Sequence, residues 1–229
     1  MKNIEIYLPE YIRQHYILSF MYGSYVYGTN TDKSDKDIIV IVDDNIELEN
    51  SVNGIKEIFV TDGITEYDFQ IINNNTFKKM LYEHHIIAVE SLFMSSDMYS
   101  SIELFNSLYA KYFILDKWKL RQVISKIVGN SYAKCHKKLT VEKDYDLYRS
   151  QKSLYHCIRL YMFGIQIGKT GKIYDYSEAN NYLKEILDKK YSWEQYKKEY
   201  KPLINKLRSE MVLYCPKPNK NKKIFEKII

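Results

Sequence analysis

Two aspartates at the start of a β-branched run are the residues of this chain best suited to chemistry. Asp35 and Asp37 flank a single lysine and lead into the run from Ile38 to Val42. Such a run, bounded by acidic and turn residues, predicts a buried strand. Because side chains alternate along a strand, both carboxylates leave the backbone on one face. Paired carboxylates repel unless a cation lies between them, and oxygen ligands of this kind suit Mg²⁺.

A glycine and a serine precede these aspartates by about ten residues. Gly23 and Ser24 follow a mostly apolar run, residues 17–22, that predicts another strand. A glycine lets the backbone approach a ligand closely, and a serine hydroxyl with the N–H after it can bind phosphate. The pair therefore predicts a phosphate-binding turn. The simpler alternative is a glycine turn followed by a solvated acidic one.

The full string over residues 23–37, Gly-Ser-x-x-x-Gly-Thr-x-Thr-x-x-Ser-Asp-x-Asp, resembles the signature of the DNA polymerase beta-like nucleotidyltransferase superfamily. It is similar to one branch, the bacterial and phage "predicted nucleotidyltransferases". The resemblance implies transfer of a nucleoside monophosphate from an NTP to an acceptor hydroxyl, with release of pyrophosphate. It also implies that Asp35 and Asp37 hold two Mg²⁺ ions, for which Mn²⁺ can substitute. The nucleotide-binding residues that it implies in this string are Gly23, Ser24 and Ser34.

A third carboxylate is expected from a predicted β-hairpin. The runs 56–60 and 64–72 flank Asp62 and Gly63, which are typical of a hairpin turn. The superfamily places a third metal-binding and catalytic carboxylate on a neighbouring strand, and Asp68 lies where the resemblance puts it, on a strand directly before a helix. Glu66 shares its face of the strand and is the rival. The remaining alternative is that Asp68 is a plain solvent-facing strand residue.

Residues 147–168 predict a long amphipathic helix. Its core stripe at spacings of three and four comprises Leu154, Ile158, Tyr161 and Ile165. A second stripe, about 200° around the helix, comprises Lys152, His156, Arg159 and Phe163. We expect this second stripe on the outer face, with Lys152 and Arg159 contacting triphosphate or a nucleic-acid backbone. His156 is also compatible with a buried core histidine.

Charge is divided unevenly along the chain. Residues 1–110 hold 7 Lys and Arg against 17 Asp and Glu, a net charge of −10. Residues 111–229 hold 27 against 12, a net charge of +15. An acidic metal-binding half joined to a basic half suits a polyanionic partner, so we expect a nucleic acid, with RNA favoured. Solvated helix faces are the alternative for most individual lysines, but they do not explain the asymmetry.

The expected fold is α/β (α+β), with a small mixed-sheet nucleotidyltransferase domain followed by an all-helical domain. The expected bounds are 1–97 for the catalytic domain, 98–215 for the helical domain and 216–229 for a basic tail. A helix kink is expected at Gly129, and a bend or a break at Pro202. The chain shows no signal-peptide pattern or membrane-length apolar run, and its three scattered cysteines suit reduced thiols, so we expect a cytoplasmic location. The sequence leaves the oligomeric state open.

The acceptor is the least determined part of the function. A nucleic-acid 3′ end, such as that of tRNA, is the first expectation because of the basic half and tail. A small molecule such as an aminoglycoside, or a protein, is the alternative acceptor. A non-catalytic nucleotide- or RNA-binding module is the alternative from another class, although a binder has no need of three carboxylates beside phosphates.

Overall fold

The protein, analysed as a computed structural model, is described over residues 4–218. It divides into two compact units, one ending at Ile114 and the other beginning at Leu115. This division falls later in the chain than the end predicted for the first domain, residue 97, and the domain bounds themselves stay a prediction. Most of the predicted basic tail lies outside the described residues.

The first unit is built on a mixed sheet. Its elements in chain order are a 3-10 helix Ile4–Tyr7, helix α1 Glu10–Arg13, strand β1 Tyr16–Met21, helix α2 Ser24–Tyr27, strands β2 Lys36–Val42, β3 Ile55–Thr61 and β4 Glu66–Asn73, helices α3 Asn74–Tyr82 and α4 Ile86–Glu90, a 3-10 helix Ser96–Met98, helix α5 Ile102–Tyr109 and a 3-10 helix Ala110–Tyr112. The described strands form one sheet in the order β1-β2-β4-β3. The β2–β4 pair is parallel and the other two pairs are antiparallel.

The predicted hairpin is confirmed as β3 and β4. Gly63 takes a positive φ of 89° in its turn, a conformation that glycine adopts at little steric cost. The Asp62 carboxylate accepts hydrogen bonds from the backbone N–H groups of Ile64 and Thr65, at 2.9 and 2.7 Å. These contacts fix the turn and therefore the register of the two strands.

The two faces of the sheet pack differently. On the face that we call the apolar face, Ile38, Val40 and Phe69 pack against residues of the N-terminal segment, among them Leu8 and Ile12. On the opposite face, which we call the carboxylate face, Phe20 of β1 contacts the rings of Phe77 in α3 and Phe105 in α5. The helices α3 and α5 therefore cover part of the carboxylate face, and the side chains of Asp37 and Asp68 leave the sheet on this same face.

The second unit is helical throughout its described regular structure. Its elements are helix α6 Lys117–Thr140, a 3-10 helix Glu142–Asp144, helix α7 Leu147–Thr170, helix α8 Asn180–Leu187 and helix α9 Trp193–Tyr214. Asp116, Asp146 and Ser192 cap the starts of α6, α7 and α9, each accepting a backbone N–H from the first turn. The mixed sheet and the helical second unit together confirm the predicted fold class.

Helices α6 and α9 are both unbroken, so the break that was one alternative at Pro202 is wrong, while a kink at Gly129 and a bend at Pro202 stay predictions. Helix α6 continues through Gly129, and helix α9 continues through Pro202. A proline inside a helix costs roughly 3 kcal/mol. In α9 the buried side chains of Tyr200 and Ile204 lie on either side of the proline, and the helix packs along α7. This packing offsets the local cost.

The predicted outer face of α7 is also wrong in part. The core stripe is buried as expected, but so are two members of the second stripe, since Arg159 is 7% exposed and Phe163 is fully buried. Helices α6, α8 and α9 all pack against α7, so little of its middle faces solvent. Lys152 is exposed, as predicted.

The three cysteines, Cys135, Cys157 and Cys215, are free and buried, and all of them lie in the second unit. None of the helices between residues 4 and 218 combines the length and apolar character that a membrane span requires.

Candidate active site

Gly23 and Asp37 are in close contact at the end of the sheet. Gly23 has φ 70° and ψ −144°, a conformation that side-chain-bearing residues rarely adopt. A Cβ atom on residue 23 would lie 1.9 Å from Oδ2 of Asp37 and 2.7 Å from its Cγ. The backbone N–H of Tyr22 also donates to the carbonyl of Asp37, at 2.9 Å. Glycine is therefore required here so that the Asp37 carboxyl group can lie directly against the turn, and not only to admit a ligand.

The turn after Gly23 is the short helix α2. The backbone N–H groups of Val26 and Tyr27 donate to the Gly23 carbonyl, and Gly28 ends the helix in the left-handed conformation. The hydroxyl oxygen of Ser24 is buried and has no hydrogen-bond partner within the described residues. Buried polar atoms are nearly always hydrogen-bonded, so an unpaired hydroxyl beside Gly23 is consistent with the predicted phosphate contact.

Ser34 occupies a different setting from Ser24. Its hydroxyl accepts a hydrogen bond from the backbone N–H of Thr31 at 2.9 Å, and its own N–H donates to the Thr31 carbonyl. These contacts close the turn that leads into β2. The turn precedes Asp35 directly, so Ser34 shapes the approach to the carboxylates, and its contact with nucleotide stays a prediction.

Asp37 and Asp68 are direct neighbours across the parallel pair β2–β4. In register, Asp37 pairs with Asp68 and Ile39 pairs with Gln70, so both carboxylates leave the same face of adjacent strands. Glu66, the rival for the third carboxylate, pairs with Thr61 on the outer strand β3 and is exposed. The register therefore favours Asp68 as the partner of Asp37.

The surroundings of Asp68 favour its protonated form. Burial, together with the negative charges of Glu57 and Asp35, raises the pKa of Asp68 to about 6. Its Oδ1 atom is buried and has no hydrogen-bond partner among the described residues. Asp35 is thus near enough to Asp68 to affect its ionisation, which brings all three predicted carboxylates to one region of the first unit.

The donor set fits a divalent cation, although the side chains are not gathered around one point. Within residues 4–218 no group of three or more His, Cys, Asp or Glu side chains is arranged to hold a metal ion. Ionised carboxylates on one face repel one another, and a positive charge between them offsets this repulsion. Hard oxygen donors and the unbonded Oδ1 of Asp68 match the preferences of Mg²⁺. That Asp35, Asp37 and Asp68 hold the ion stays a prediction.

Comparison with known proteins supports the same assignment. The family model described as "Polymerase beta, Nucleotidyltransferase" matches residues 2–99, which contain the glycine-serine turn and the three aspartates. Over these residues the chain belongs to the polymerase beta-like nucleotidyltransferase superfamily. Residues 2–99 are therefore a nucleotidyltransferase domain. No curated protein matches the chain.

Two solved structures resemble this nucleotidyltransferase at low identity. The spectinomycin adenyltransferase AAD(9) of Enterococcus faecialis, solved with ATP and spectinomycin, is 12% identical, with a TM-score of 0.45, over 91% of this chain and 96% of that one. A nucleotidyltransferase-like protein of Exiguobacterium sibiricum 255-15 is also 12% identical, with a TM-score of 0.32, over 87% of this chain and 71% of that one.

Two residues beside the carboxylates of the nucleotidyltransferase domain were not predicted. Phe59 of β3 is the antiparallel register partner of Asp68, and its side chain is 72% exposed on the carboxylate face. Glu57 lies two residues earlier on the same face and contributes to the raised pKa of Asp68. The sequence did carry a signal for both, because counting outward from the Asp62-Gly63 turn pairs residue 59 with residue 68.

The predicted phosphate contacts of the second unit occupy unlike settings. Lys152 is exposed and its ammonium lies 4.9 Å from the centre of the Tyr148 ring. The Arg159 guanidinium is buried, with Nη2 at 3.1 Å from Nδ1 of His156. Burial lowers the pKa of His156 to about 3, and the charges of Arg159 and Lys134 act in the same direction. His156 is therefore a neutral, largely buried histidine, and phosphate binding by Lys152 and Arg159 stays a prediction.

Proposed function

We propose that this nucleotidyltransferase moves an NMP from an NTP to the 3′ hydroxyl of an RNA, releasing pyrophosphate in a reaction that depends on a divalent metal. The observation that carries the proposal is the parallel register of Asp37 and Asp68, with Gly23 directly beneath the Asp37 carboxyl group. It gives one region of the domain both a phosphate-binding turn and a pair of carboxylates.

Each residue has a distinct part in this proposal. The Ser24 hydroxyl and the backbone at Gly23 bind the β and γ phosphates of the NTP, with Ser34 shaping the turn between them and the aspartates. Asp35, Asp37 and Asp68 would hold Mg²⁺, which would neutralise phosphate charge and lower the pKa of the attacking hydroxyl. Asp68 would also accept the proton of that hydroxyl as the general base.

Charge is the support for RNA as the acceptor. Residues 111–229 carry a net +15, and lysines of this part can neutralise the phosphates of an RNA backbone. Lys152 is the better-placed of the two basic residues predicted on α7, since it is exposed whereas Arg159 is buried. Binding of this kind should weaken steeply as salt is raised.

A specific observation favours a second acceptor class. Next to Asp68 on the carboxylate face, Glu57 and Glu66 are both exposed, so this side of the domain is strongly acidic. An acidic surface attracts a hydroxyl compound that carries amino groups, and it repels a polyanion. An amine-bearing small molecule or a lysine-rich protein is therefore the second candidate acceptor.

Incubation with α-³²P-labelled NTPs, one base at a time, tests the proposal. With Mg²⁺ and total RNA, we expect label at RNA 3′ ends and release of pyrophosphate. Asp37→Asn should reduce the rate about a thousandfold, because the metal contributes several kcal/mol to the stability of the transition state. Asp188→Asn, at an exposed aspartate that ends helix α8, is the matched control and should retain full activity.

The outcomes separate the acceptor classes. Label that appears on protein, or on an added amine-bearing compound, and not on RNA would move the assignment to the second candidate. Absence of metal-dependent pyrophosphate release with every NTP and acceptor would overturn catalysis itself and leave a nucleotide-binding module. Full activity of correctly folded Asp37→Asn would overturn the proposed site.

A further inference from the structure

Helix α2 is joined to helix α4 by a buried hydrogen bond that the proposed chemistry does not use. The Tyr27 hydroxyl donates to Oε2 of Glu90 at 2.6 Å. Tyr27 is 4% exposed and Glu90 is fully buried. The bond is short for an O–H···O hydrogen bond, and it links two separate segments of the first unit.

Tyr27 is well placed to control the phosphate-binding turn. It is the last residue of α2, and its backbone N–H donates to the Gly23 carbonyl at 3.2 Å. Its side chain therefore connects Glu90 to the same short helix that presents Gly23 and Ser24. A helix of one turn has little stability of its own, so its position must come from contacts such as this one.

Glu90 itself is held by the structure around it. It is the last residue of α4, and the Ser91 hydroxyl that follows donates to the Ala88 carbonyl at 2.8 Å. The Tyr99 hydroxyl in turn donates to the Ser91 carbonyl. These bonds fix the end of α4. The backbone that carries Glu90 is thereby held in place, and the buried side chain extends from it to Tyr27.

We propose that Glu90 is a positioning residue for the triphosphate, acting through Tyr27 on the Gly23-Ser24 turn. The inference rests on the proposed function, since it assigns a role in binding the β and γ phosphates. A buried carboxyl group is costly where an apolar side chain could fill the same space. Its hydrogen bond to Tyr27 supplies direction, which apolar packing does not, and a phosphate-binding turn needs its donors in fixed places.

Comparing the binding of a triphosphate with that of a monophosphate distinguishes a role of Glu90 in positioning the phosphates from a role in overall stability. We would measure the dissociation constants of α,β-methylene ATP and of AMP, both with Mg²⁺. The analogue binds as a triphosphate but cannot transfer AMP. If the transfer assay shows that the enzyme prefers another base, the corresponding analogue and monophosphate of that base are used. Tyr27→Phe removes the donor and should weaken triphosphate binding about tenfold, while AMP binding stays unchanged. Glu90→Gln keeps an acceptor oxygen for Tyr27 and should stay within about threefold of the wild type.

Tyr109→Phe is the matched control. The Tyr109 hydroxyl is part of the same unit, is fully buried and donates to Oδ1 of Asn74 at 3.1 Å. It has no bond to helix α2, so its removal should leave the ratio of the two dissociation constants unchanged. The double variant Tyr27→Phe with Glu90→Gln should match Tyr27→Phe alone, because both changes act on a single link.

Three results would overturn the inference: unchanged triphosphate binding in folded Tyr27→Phe, equal losses for both ligands, or the same selective loss in Tyr109→Phe. If the wild type transfers nucleotide in any of these cases, the proposed function stands although the inference fails. A wild-type protein that neither binds triphosphate nor transfers nucleotide would instead overturn the proposed function together with the inference.

Discussion

Oδ2 of Asp37 lies 1.9 Å from the point where a side chain on Gly23 would begin. The two residues come from different elements, the turn after β1 and the start of β2. Their contact means that the Gly23-Ser24 turn and the start of β2 are shaped by one another. A change at either residue should therefore affect both parts of the site.

Gly23→Ala should destabilise the protein by about 3 kcal/mol and abolish transfer, because it adds a steric clash to a strained backbone. Gly63→Ala is the control, since Gly63 has φ 89° but no atom lies within 4 Å of the position of its missing Cβ. There only the backbone strain remains, at about 1 kcal/mol. Urea denaturation measures both values. Equal losses in the two variants would show that the Asp37 contact contributes nothing.

Ionisation of Asp68 should make stability depend on pH. Its pKa is about 6 in the folded protein against 3.8 as the ordinary value, so the folded state holds this proton more tightly. The free energy of unfolding should fall as the pH rises between about 4 and 6, and the site is then ionised above about pH 6. Since Mg²⁺ needs the ionised carboxylate, it should raise the melting temperature more near pH 7.5 than near pH 5.

Two variants check that Asp68 is responsible for this behaviour. Asp68→Asn should lose most of the pH dependence of the Mg²⁺ effect. Glu57→Gln removes a neighbouring negative charge, so it should lower the pKa of Asp68 and move the pH window downward. The prediction would be contradicted if Mg²⁺ raised the melting temperature of the wild type by the same amount near pH 5 and near pH 7.5.

Phe59→Ala should weaken acceptor binding without affecting stability. The ring is 72% exposed beside Asp68, and stacking of one base on an aromatic ring is worth about 1–3 kcal/mol. We expect the KM for the acceptor to rise about tenfold and the KM for the NTP to stay constant. Ile64→Ala, at a side chain 96% exposed near the hairpin tip, is the control. An effect on NTP alone would place Phe59 on the nucleotide side.

Arg159→Ala should lower the free energy of unfolding by about 3 kcal/mol, because it removes a buried side chain that packs on the rings of Tyr155 and Phe163. Lys152→Ala, at an exposed side chain, should change stability by less than about 0.5 kcal/mol and reduce the salt dependence of RNA binding. Thermal unfolding and binding at several salt concentrations measure these effects. A stable Arg159→Ala variant would contradict the assignment of Arg159 to the core.

Much of the catalytic domain could be predicted because its signals are local. A β-branched run after Asp37, a glycine-serine pair after an apolar run and an Asp-Gly turn each identify a strand or turn within a few residues. The hairpin turn even fixes which residue of β3 faces Asp68. The parallel pairing of β2 with β4 is a long-range contact that the sequence pattern could not indicate, and the superfamily resemblance implied only that a neighbouring strand carries the third carboxylate.

The wrong predictions concern residues whose burial depends on contacts between helices, and a short stretch of sequence carries no information about such contacts. The spacing of Arg159 indicates a face turned away from the core stripe, but three helices pack around α7 and bury that face as well. Helix α9 passes through Pro202 because burial along its length outweighs one lost hydrogen bond. The bond between Tyr27 and Glu90 joins residues far apart in sequence, so no periodicity could indicate it.

The distribution of cysteines has a practical consequence for spectroscopy. All three thiols are buried in the second unit, and burial raises the pKa of Cys157 to about 12 and that of Cys215 to about 11. Protonated, inaccessible thiols react slowly with maleimides. A cysteine introduced at an exposed position such as Ile64 would take up a fluorophore selectively in the native protein. Dye attached there would report on acceptor arrival beside the hairpin without any need for a cysteine-free background.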